Sequence, residues 1–243
     1  MNIAWGITGA GHFLRQSIEV FETLKKTTPH LKITILISRA GEEVVKMYGL
    51  ENKLHDISKG EYLEEIFPES KQGASFPKTG RFLLQRYHAL IICPATSNTT
   101  AKIAHGIADT LVTNAVAQSI KGDVPVFIVP VDISGKIESR MPYFIDRDIC
   151  MKCEICPPQE HCHNKAIAEQ IDLLRCDGCG ECVKLCSFGA IKGGVVKLKV
   201  RDVDSNNVRI LHKLEGITVL DNPQAILRVI EKLNMRVTNN KWR

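Results

Sequence analysis

The chain has 243 residues, enough for one large domain or for one domain with a smaller second one. Hydrophobic residues make up 44% and charged residues 24%, which is typical of a globular protein and excludes a disordered or fibrous chain. The formal net charge of +5 counts every thiol as neutral. Because metal-bound thiolates would offset this positive charge, we expect no nucleic-acid partner.

The first residues lack the features of an exported protein. Met1 is followed by an apolar stretch without the basic region of a signal peptide. No apolar run approaches the ~18 residues that a membrane-spanning helix needs. Dense cysteines in a chain that is not exported indicate metal ligands rather than disulfides. We therefore expect a cytoplasmic protein without membrane contact.

Apolar runs alternate with helical patterns from residue 1 to about residue 145. The predicted strands are 2–8, 31–38, 89–93 and 124–131. The predicted helices are 12–27, 41–48 and 99–120, while residues 51–80 show no clear pattern. This alternation predicts an α/β fold in which a parallel sheet carries helices on both faces.

The stretch from residue 142 to about residue 200 has a different character, since it holds most cysteines and no long helical period. The α/β pattern then resumes with a helix at 205–214, a strand at 216–220 and a helix at 225–233. The sequence therefore predicts an α/β domain formed by residues 1–143 and 201–243. Residues 144–200 are predicted to form a module inserted into that domain.

Eight of the nine cysteines lie in two runs, C-x2-C-x2-C-x5-C and C-x2-C-x2-C-x3-C. The second run has the spacing of bacterial ferredoxins, in which the fourth cysteine ligates the other cluster. This rule predicts two 4Fe-4S clusters and two ligand sets. The first cysteine set is Cys150, Cys153, Cys156 and Cys186. The second cysteine set is Cys162, Cys176, Cys179 and Cys182.

Structural zinc is the alternative, but zinc sites usually pair two C-x2-C knuckles and fit triple runs poorly. The two runs depart from the ferredoxin pattern in two ways, and both concern the local fold around each cluster. The first run ends with five intervening residues, and His163 and Ser187 stand where a proline often follows the fourth cysteine. The ninth cysteine, Cys93, lies at a strand end and is expected to pack in the core.

Three polar or glycine-rich turns follow predicted strands. Gly9-Ala10-Gly11 opens a helix, where backbone N–H groups can approach a phosphate. Ser38 ends the second strand, and a dense group of hydroxyls with Asn98 follows Pro94. Helix capping would explain one hydroxyl at each place. It does not explain five consecutive polar residues.

The segment 94–109, PATSNTTAKIAHGIAD, resembles the homo-oligomeric flavin-containing cysteine decarboxylase superfamily. The resemblance implies a flavodoxin-like (Rossmann-type) three-layer domain that binds FMN between the subunits of a trimer. It implies FMN contacts from the residues that follow the first, second and third predicted strands, with Asp109 nearby. These residues are Thr8, Gly9, Ala10, Gly11, His12, Ser38, Arg39, Pro94, Ala95, Thr96, Ser97, Asn98 and Thr99.

Residues 76–82 lack the histidine of the decarboxylases, and Gly80-Arg81-Phe82 resembles the archaeoflavoproteins instead. An archaeoflavoprotein with an inserted bacterial-type two-cluster ferredoxin domain resembles the iron–sulfur flavoproteins of methanogens. That resemblance implies reduction of dihydromethanopterin to tetrahydromethanopterin, with electrons passing from a ferredoxin-like donor through the clusters to FMN. It also implies trimers that assemble into a larger closed shell. Candidate proton donors are Asp132, His12 and Lys78.

Three other functions are compatible with parts of the pattern. A pure electron-transfer flavoprotein would have no small-molecule substrate, and a pterin would leave its flavin spectrum unchanged. Against a flavin prenyltransferase or decarboxylase stand the absence of a histidine from residues 76–82 and the two cysteine runs. A scaffold whose shell is the function would keep its role without FMN.

Overall fold

The computed structural model describes residues 1–240, without the side chains of residues 140 and 237–240. The strands are β1 (Asn2–Ile7), β2 (Lys32–Ile37), β3 (Ile66–Pro68), β4 (Ala89–Ala95), β5 (Val126–Pro130), β6 (Lys136–Ile145), β7 (Ile191–Lys199) and β8 (Ile217–Val219). The helices are α1 (Leu14–Thr27), α2 (Arg39–Met47), α3 (Glu51–Ile57), α4 (Gly80–Leu83), α5 (Ser97–Ala104), α6 (Leu111–Lys121), α7 (Pro157–His161), α8 (Glu181–Leu185), α9 (Asp202–Leu211) and α10 (Ala225–Asn240). None of the helices within residues 1–240 is long and apolar enough to cross a membrane.

Six strands form one sheet in the order β3-β2-β1-β4-β5-β8, and every neighbouring pair is parallel. Side chains alternate between two cores, as a two-sided parallel sheet requires. Ile3, Trp5 and Ile7 face a core shared with α1 and α10, whereas Ala4 faces a core shared with α6 and α9. The predicted three-layer α/β fold is therefore confirmed.

Trp5 joins β1, α1 and β4 in the first core. Its ring stacks on Phe21 with centroids 3.9 Å apart, and its Nε1 donates a 2.6 Å hydrogen bond to the carbonyl oxygen of Cys93. Cys93 is fully buried, its Sγ lies 3.0 Å from Ser17 Oγ, and burial raises the pKa of its thiol to about 12. Cys93 is thus a core residue, as predicted.

The predicted helix 99–120 is wrong, because two helices, α5 and α6, occupy this stretch. Gly106 adopts a positive φ of 71° after α5, a conformation that glycine reaches without strain. Thr110 then begins α6 through a capping box with Thr113. A second difference concerns β4, which continues through Pro94 to Ala95 rather than ending at Cys93. The unassigned residues 51–80 contain α3, β3 and the start of α4.

The chain leaves the sheet after β5 along an antiparallel ribbon and returns before α9. The ribbon pairs β6 with β7, from Lys136 opposite Lys199 to Ile145 opposite Ile191. It was not predicted, because Pro142 and Gly193-Gly194 interrupt the alternation that identifies strands and produce a register shift. Beyond the ribbon a small core of Ile145, Ile167, Ile171 and Ile191 packs against the cysteine side chains.

Replacing Trp5 tests how strongly the indole holds β1 to β4. We expect Trp5→Phe to lower the free energy of unfolding by about 1–3 kcal/mol, because the buried Cys93 carbonyl loses its indole donor. Chemical denaturation followed by circular dichroism measures the change. The control is Tyr62→Phe, since Tyr62 is 58% exposed. Equal stability of both variants would contradict this account.

Candidate cofactor sites

Thr8 connects the turn after β1 to the turn after β4. Its Oγ1 donates to the carbonyl oxygen of Pro94 at 2.7 Å and accepts from the backbone N–H of Thr96 at 2.9 Å. Thr8 is buried, so both hydrogen bonds are shielded from water. These hydrogen bonds hold the turn after β1 against the turn after β4, and the sequence predicts FMN contacts from both turns.

The glycines of the β1 turn (residues 8–12) let this turn approach α2. A Cβ added to Gly9 would lie 2.5 Å from the Cβ of Ala40, and one added to Gly11 would overlap the hydroxyl of Tyr48. Within residues 1–240, the backbone N–H groups of Gly9, Gly11 and His12 have no protein acceptor. Free N–H groups ahead of a helix form a cradle that suits a phosphate.

Ser38 and Thr96 cap the two neighbouring helices. Ser38 Oγ accepts from the N–H of Gly41 at 3.1 Å, and Thr96 Oγ1 accepts from the N–H of Thr99 at 3.2 Å. Both hydroxyls therefore act as helix caps. The N-termini of α2 and α5 lie at the edge of the sheet where the β1 turn lies, and both helix ends favour an anion there.

His12, Ser97 and Asp132 come together at this edge. The hydroxyl of Ser97 donates to the carboxylate of Asp132, which lies just beyond β5. Burial lowers the pKa of His12 below its ordinary value, and the negative charge of Asp132 partly opposes this shift. Three polar groups that can exchange protons thus line one crevice, two of them the predicted donors Asp132 and His12.

Other predicted residues lie elsewhere or point outward. Lys78 places its Nζ 5.4 Å from the ring centroid of Phe67, on the β3 side of the sheet. Asp109 follows α5 at the end opposite to Ser97, and both its carboxylate oxygens accept from Lys102 Nζ at 2.8 Å. Arg39 and Asn98 are exposed. In this chain, neither Lys78 nor Asp109 contacts the residues around His12.

The eight cysteines line two separate cavities, each with four sulfurs. The first cavity is lined by the complete first cysteine set, and the second by the complete second cysteine set. Burial raises the pKa of Cys176, and negative charge on Asp177, Cys179 and Cys162 adds to this shift. The fourth cysteine of each run therefore lies with the first three of the other run. This donor arrangement fits two four-iron clusters, since each cavity offers four thiols.

Short helices explain the unequal spacing of the two runs. Cys156 and Cys162 flank α7, whereas Cys186 directly follows α8. The five residues between Cys156 and Cys162 form the whole of α7, so the longer spacing completes a helical turn without displacing the fourth sulfur. His163 Nε2 lies 3.0 Å from Asp177 on the surface.

A third cavity is lined by residues that no sequence pattern indicated. It lies between the α/β domain and the cysteine module and is lined by Arg15, Tyr48, Tyr143 and Cys176, among others. Arg15 and Tyr48 occupy ordinary positions of α1 and of the end of α2, so no local pattern distinguishes them. Only the arrangement of the ribbon brings them beside a predicted cluster ligand.

Removing one cysteine from each set tests the partition into two sites. We expect Cys153→Ser and Cys179→Ser each to lower the iron and sulfide content by about half, because each set is predicted to hold one 4Fe-4S cluster. Cys93→Ala should leave both contents unchanged, since Cys93 lies in the sheet core. Chemical analysis of anaerobically purified protein gives the result. Full iron content in either serine variant would contradict the assignment.

The pKa of His12 can be measured directly. We expect its ring to titrate below 6.5, since burial disfavours the charged form. Asp132→Asn should lower the midpoint further, because it removes the charge that favours protonation. NMR of protein with isotope-labelled histidine measures the titration, with the signal assigned by His12→Gln. Asp56→Asn, on the surface of α3, is the control. An unchanged midpoint in Asp132→Asn would show that the two groups are not coupled.

Known proteins match the chain along nearly its whole length. A family model described as Flavoprotein matches residues 1–134, and one described as 4Fe-4S binding domain matches residues 169–192. The dihydromethanopterin reductase (acceptor) of Methanosarcina mazei is 61% identical over 233 residues, covering 93% of this chain and 98% of that protein. The protein of the same name from Methanocaldococcus jannaschii is 48% identical, covering 93% of this chain and 94% of its own length.

A solved structure shares the fold. The crystal structure of Burkholderia xenovorans DmrB in complex with FMN, described as a cubic protein cage for redox transfer, has a TM-score of 0.60 and 24% identity, and the match covers 98% of this chain and 96% of that one. Together the matches confirm the predicted family, the fold class, the oxidoreductase class and the two kinds of cofactor, a flavin and 4Fe-4S clusters. The chain therefore belongs to the flavoprotein family and, within it, to the dihydromethanopterin reductase (acceptor) proteins.

Proposed function

We propose that this protein reduces dihydromethanopterin to tetrahydromethanopterin with electrons that an external one-electron donor supplies. The observation that carries the proposal is that one chain holds two four-cysteine cavities and a sheet edge whose joined turns suit a flavin phosphate. The M. mazei relative, at 61% identity, supports the choice of substrate. The proposed FMN domain comprises residues 1–143 and 201–243, and the proposed two-cluster ferredoxin domain comprises residues 144–200.

The β1 turn is the proposed phosphate site. Its free N–H groups at Gly9, Gly11 and His12, together with the N-termini of α2 and α5, offer donors and positive dipole ends to a dianion. The turn after β4, held by Thr8, would support the isoalloxazine ring through Ser97 and Asn98. Thr8 itself acts indirectly, because its hydroxyl is already occupied by Pro94 and Thr96.

The overall reaction consumes two electrons and two protons for each pterin. When bound, the clusters supply single-electron transfer, and FMN supplies the conversion of two single electrons into a hydride. Such a hydride would add to the carbon of the pterin C=N bond, and the nitrogen would take a proton. Two external donors each lose one electron, so the charges balance.

His12, Ser97 and Asp132 are the proposed proton relay. Burial lowers the pKa of His12, so the ring would rest neutral and, once protonated, would release its proton readily. The hydrogen bond from Ser97 keeps the Asp132 carboxylate oriented toward the crevice. Lys78 takes no part, since it lies against Phe67.

The proposed partners are a ferredoxin-like donor and further copies of this chain. The sequence resemblance implies trimers that build a larger closed shell, and the B. xenovorans structure is itself described as a cage. A trimer would complete each FMN site with residues from a second subunit. Asp109, remote from the crevice in its own chain, would then be available to a neighbouring one.

The test is single turnover under anaerobic conditions with FMN-loaded protein whose clusters have been chemically reduced. Wild-type protein should convert dihydromethanopterin, and Asp132→Asn should slow the conversion by about 10²–10⁴-fold, as expected for loss of a proton-transfer group. Asp56→Asn is the matched control. Rapid-quench analysis of the pterin measures the rate. Intact cofactors without pterin conversion, and a flavin spectrum that pterin leaves unchanged, would favour the electron-transfer flavoprotein instead.

A further inference from the structure

One cavity joins the cysteine module to the α/β domain. Its lining residues come from α1, from the end of α2, from β6 and from the loop that carries Cys176. The cavity of the first cysteine set differs, because all its lining residues lie between Ile145 and Ala190. The two cysteine sets therefore have unequal access to the α/β domain of their own chain.

Three contacts place the second cysteine set next to the β1 turn. A Cβ added to Gly49, just after α2, would lie 3.5 Å from the Cα of Leu174 in the cysteine module. The half-buried Tyr48 reaches Gly11 with its hydroxyl and also lines the cavity that contains Cys176. One aromatic side chain thus touches the proposed phosphate turn and borders a predicted cluster ligand.

The side chains around this cavity include one cation, Arg15, and one carboxylate, Asp177. The guanidinium of Arg15 lies 5.6 Å from the ring centroid of Tyr48, which is cation–π distance. Burial raises the pKa of Tyr48, so its phenol stays neutral. Tyr143 borders the cavity from the ribbon, and its hydroxyl would lie 2.7 Å from a Cβ added to Gly180, between Cys179 and Cys182. A four-thiolate cluster would gain a nearby cation in Arg15.

We infer that the cluster held by the second cysteine set passes electrons to the flavin of the same chain, and that Tyr48 positions this contact. The inference rests on the proposed function, because it needs both cofactors. Each transfer oxidises this cluster by one electron and reduces the flavin by one. Two transfers with two protons complete the reduction of the flavin, and the cluster of the first cysteine set takes electrons from the external donor.

The experiment compares Cys153→Ser with Cys179→Ser in FMN-loaded protein. These are the middle cysteines of the two runs, and both are exposed, so the variants are matched. Reduced methyl viologen, a small one-electron donor that can reach either cluster, is mixed with each protein without pterin. Cluster and flavin absorbance are followed together. Flavin reduction should be about tenfold or more slower in Cys179→Ser than in Cys153→Ser, since only Cys179→Ser removes the donor positioned beside the flavin.

The fluorescence lifetime of the oxidised flavin gives a readout that needs no electron donor. A neighbouring cluster quenches the flavin, so the lifetime should be clearly longer in Cys179→Ser than in Cys153→Ser. Tyr48→Ala should slow flavin reduction while iron content stays normal, and Tyr48→Phe should slow it less, because the ring is kept and only the hydroxyl contact with Gly11 is lost. Tyr62→Ala, which removes an exposed tyrosine elsewhere, is the control for Tyr48→Ala.

Two results would overturn the inference. Equal rates in the two cysteine variants, or slower flavin reduction in Cys153→Ser alone, would show that the second cysteine set is not the proximal site. These results leave the proposed function standing, because they do not involve the pterin. Protein that holds no flavin would contradict the proposed function itself.

Discussion

The parallel pairing of β1 with β2 and β4 is the constraint on which the rest of the structure depends. Parallel strands end at one edge of the sheet, so the turns that follow them must meet there. The strand order reverses between β1 and β4, and this opens a crevice at the same place. Thr8 then holds the two turns on either side of the crevice together. The glycines, the helix caps and Asp132 gain their common location from this arrangement.

The cysteine module enters at that edge because it is inserted directly after β5. An antiparallel ribbon returns the chain close to its point of departure, so β8 can still pair with β5. The module itself has only a small core of four isoleucines. A core of that size contributes little stability, and metal ligation commonly supplies the rest in such small units. The ribbon also turns the second cysteine set toward Tyr48, which gives the two halves of the molecule a shared cavity.

Sequence patterns predicted the parts that depend on local chemistry. Cysteine spacing anticipated which sulfurs share a cavity, although one run has an unusual spacing, because α7 accommodates the additional residues. The polar segment after Pro94 indicated a turn at the sheet edge. The single helix predicted over 99–120 failed because Gly106 and the Thr110 cap interrupt an otherwise continuous pattern. The ribbon was missed because proline and glycines disturb its alternation.

The sequence by itself determined the α/β class and the family, and it predicted the inserted module and the grouping of the cysteines, since periodicity, spacing and motif are local properties of the chain. Only the tertiary structure decided which predicted residues meet. It brought Asp132 close enough to His12 for its charge to act on the pKa of the ring, and it separated Lys78 and Asp109 from them. It also brought Arg15 and Tyr48 beside Cys176, a contact between distant segments that no local pattern encodes. The physical reason is that strand order and the ribbon's pairing set these distances, and both depend on long-range contacts.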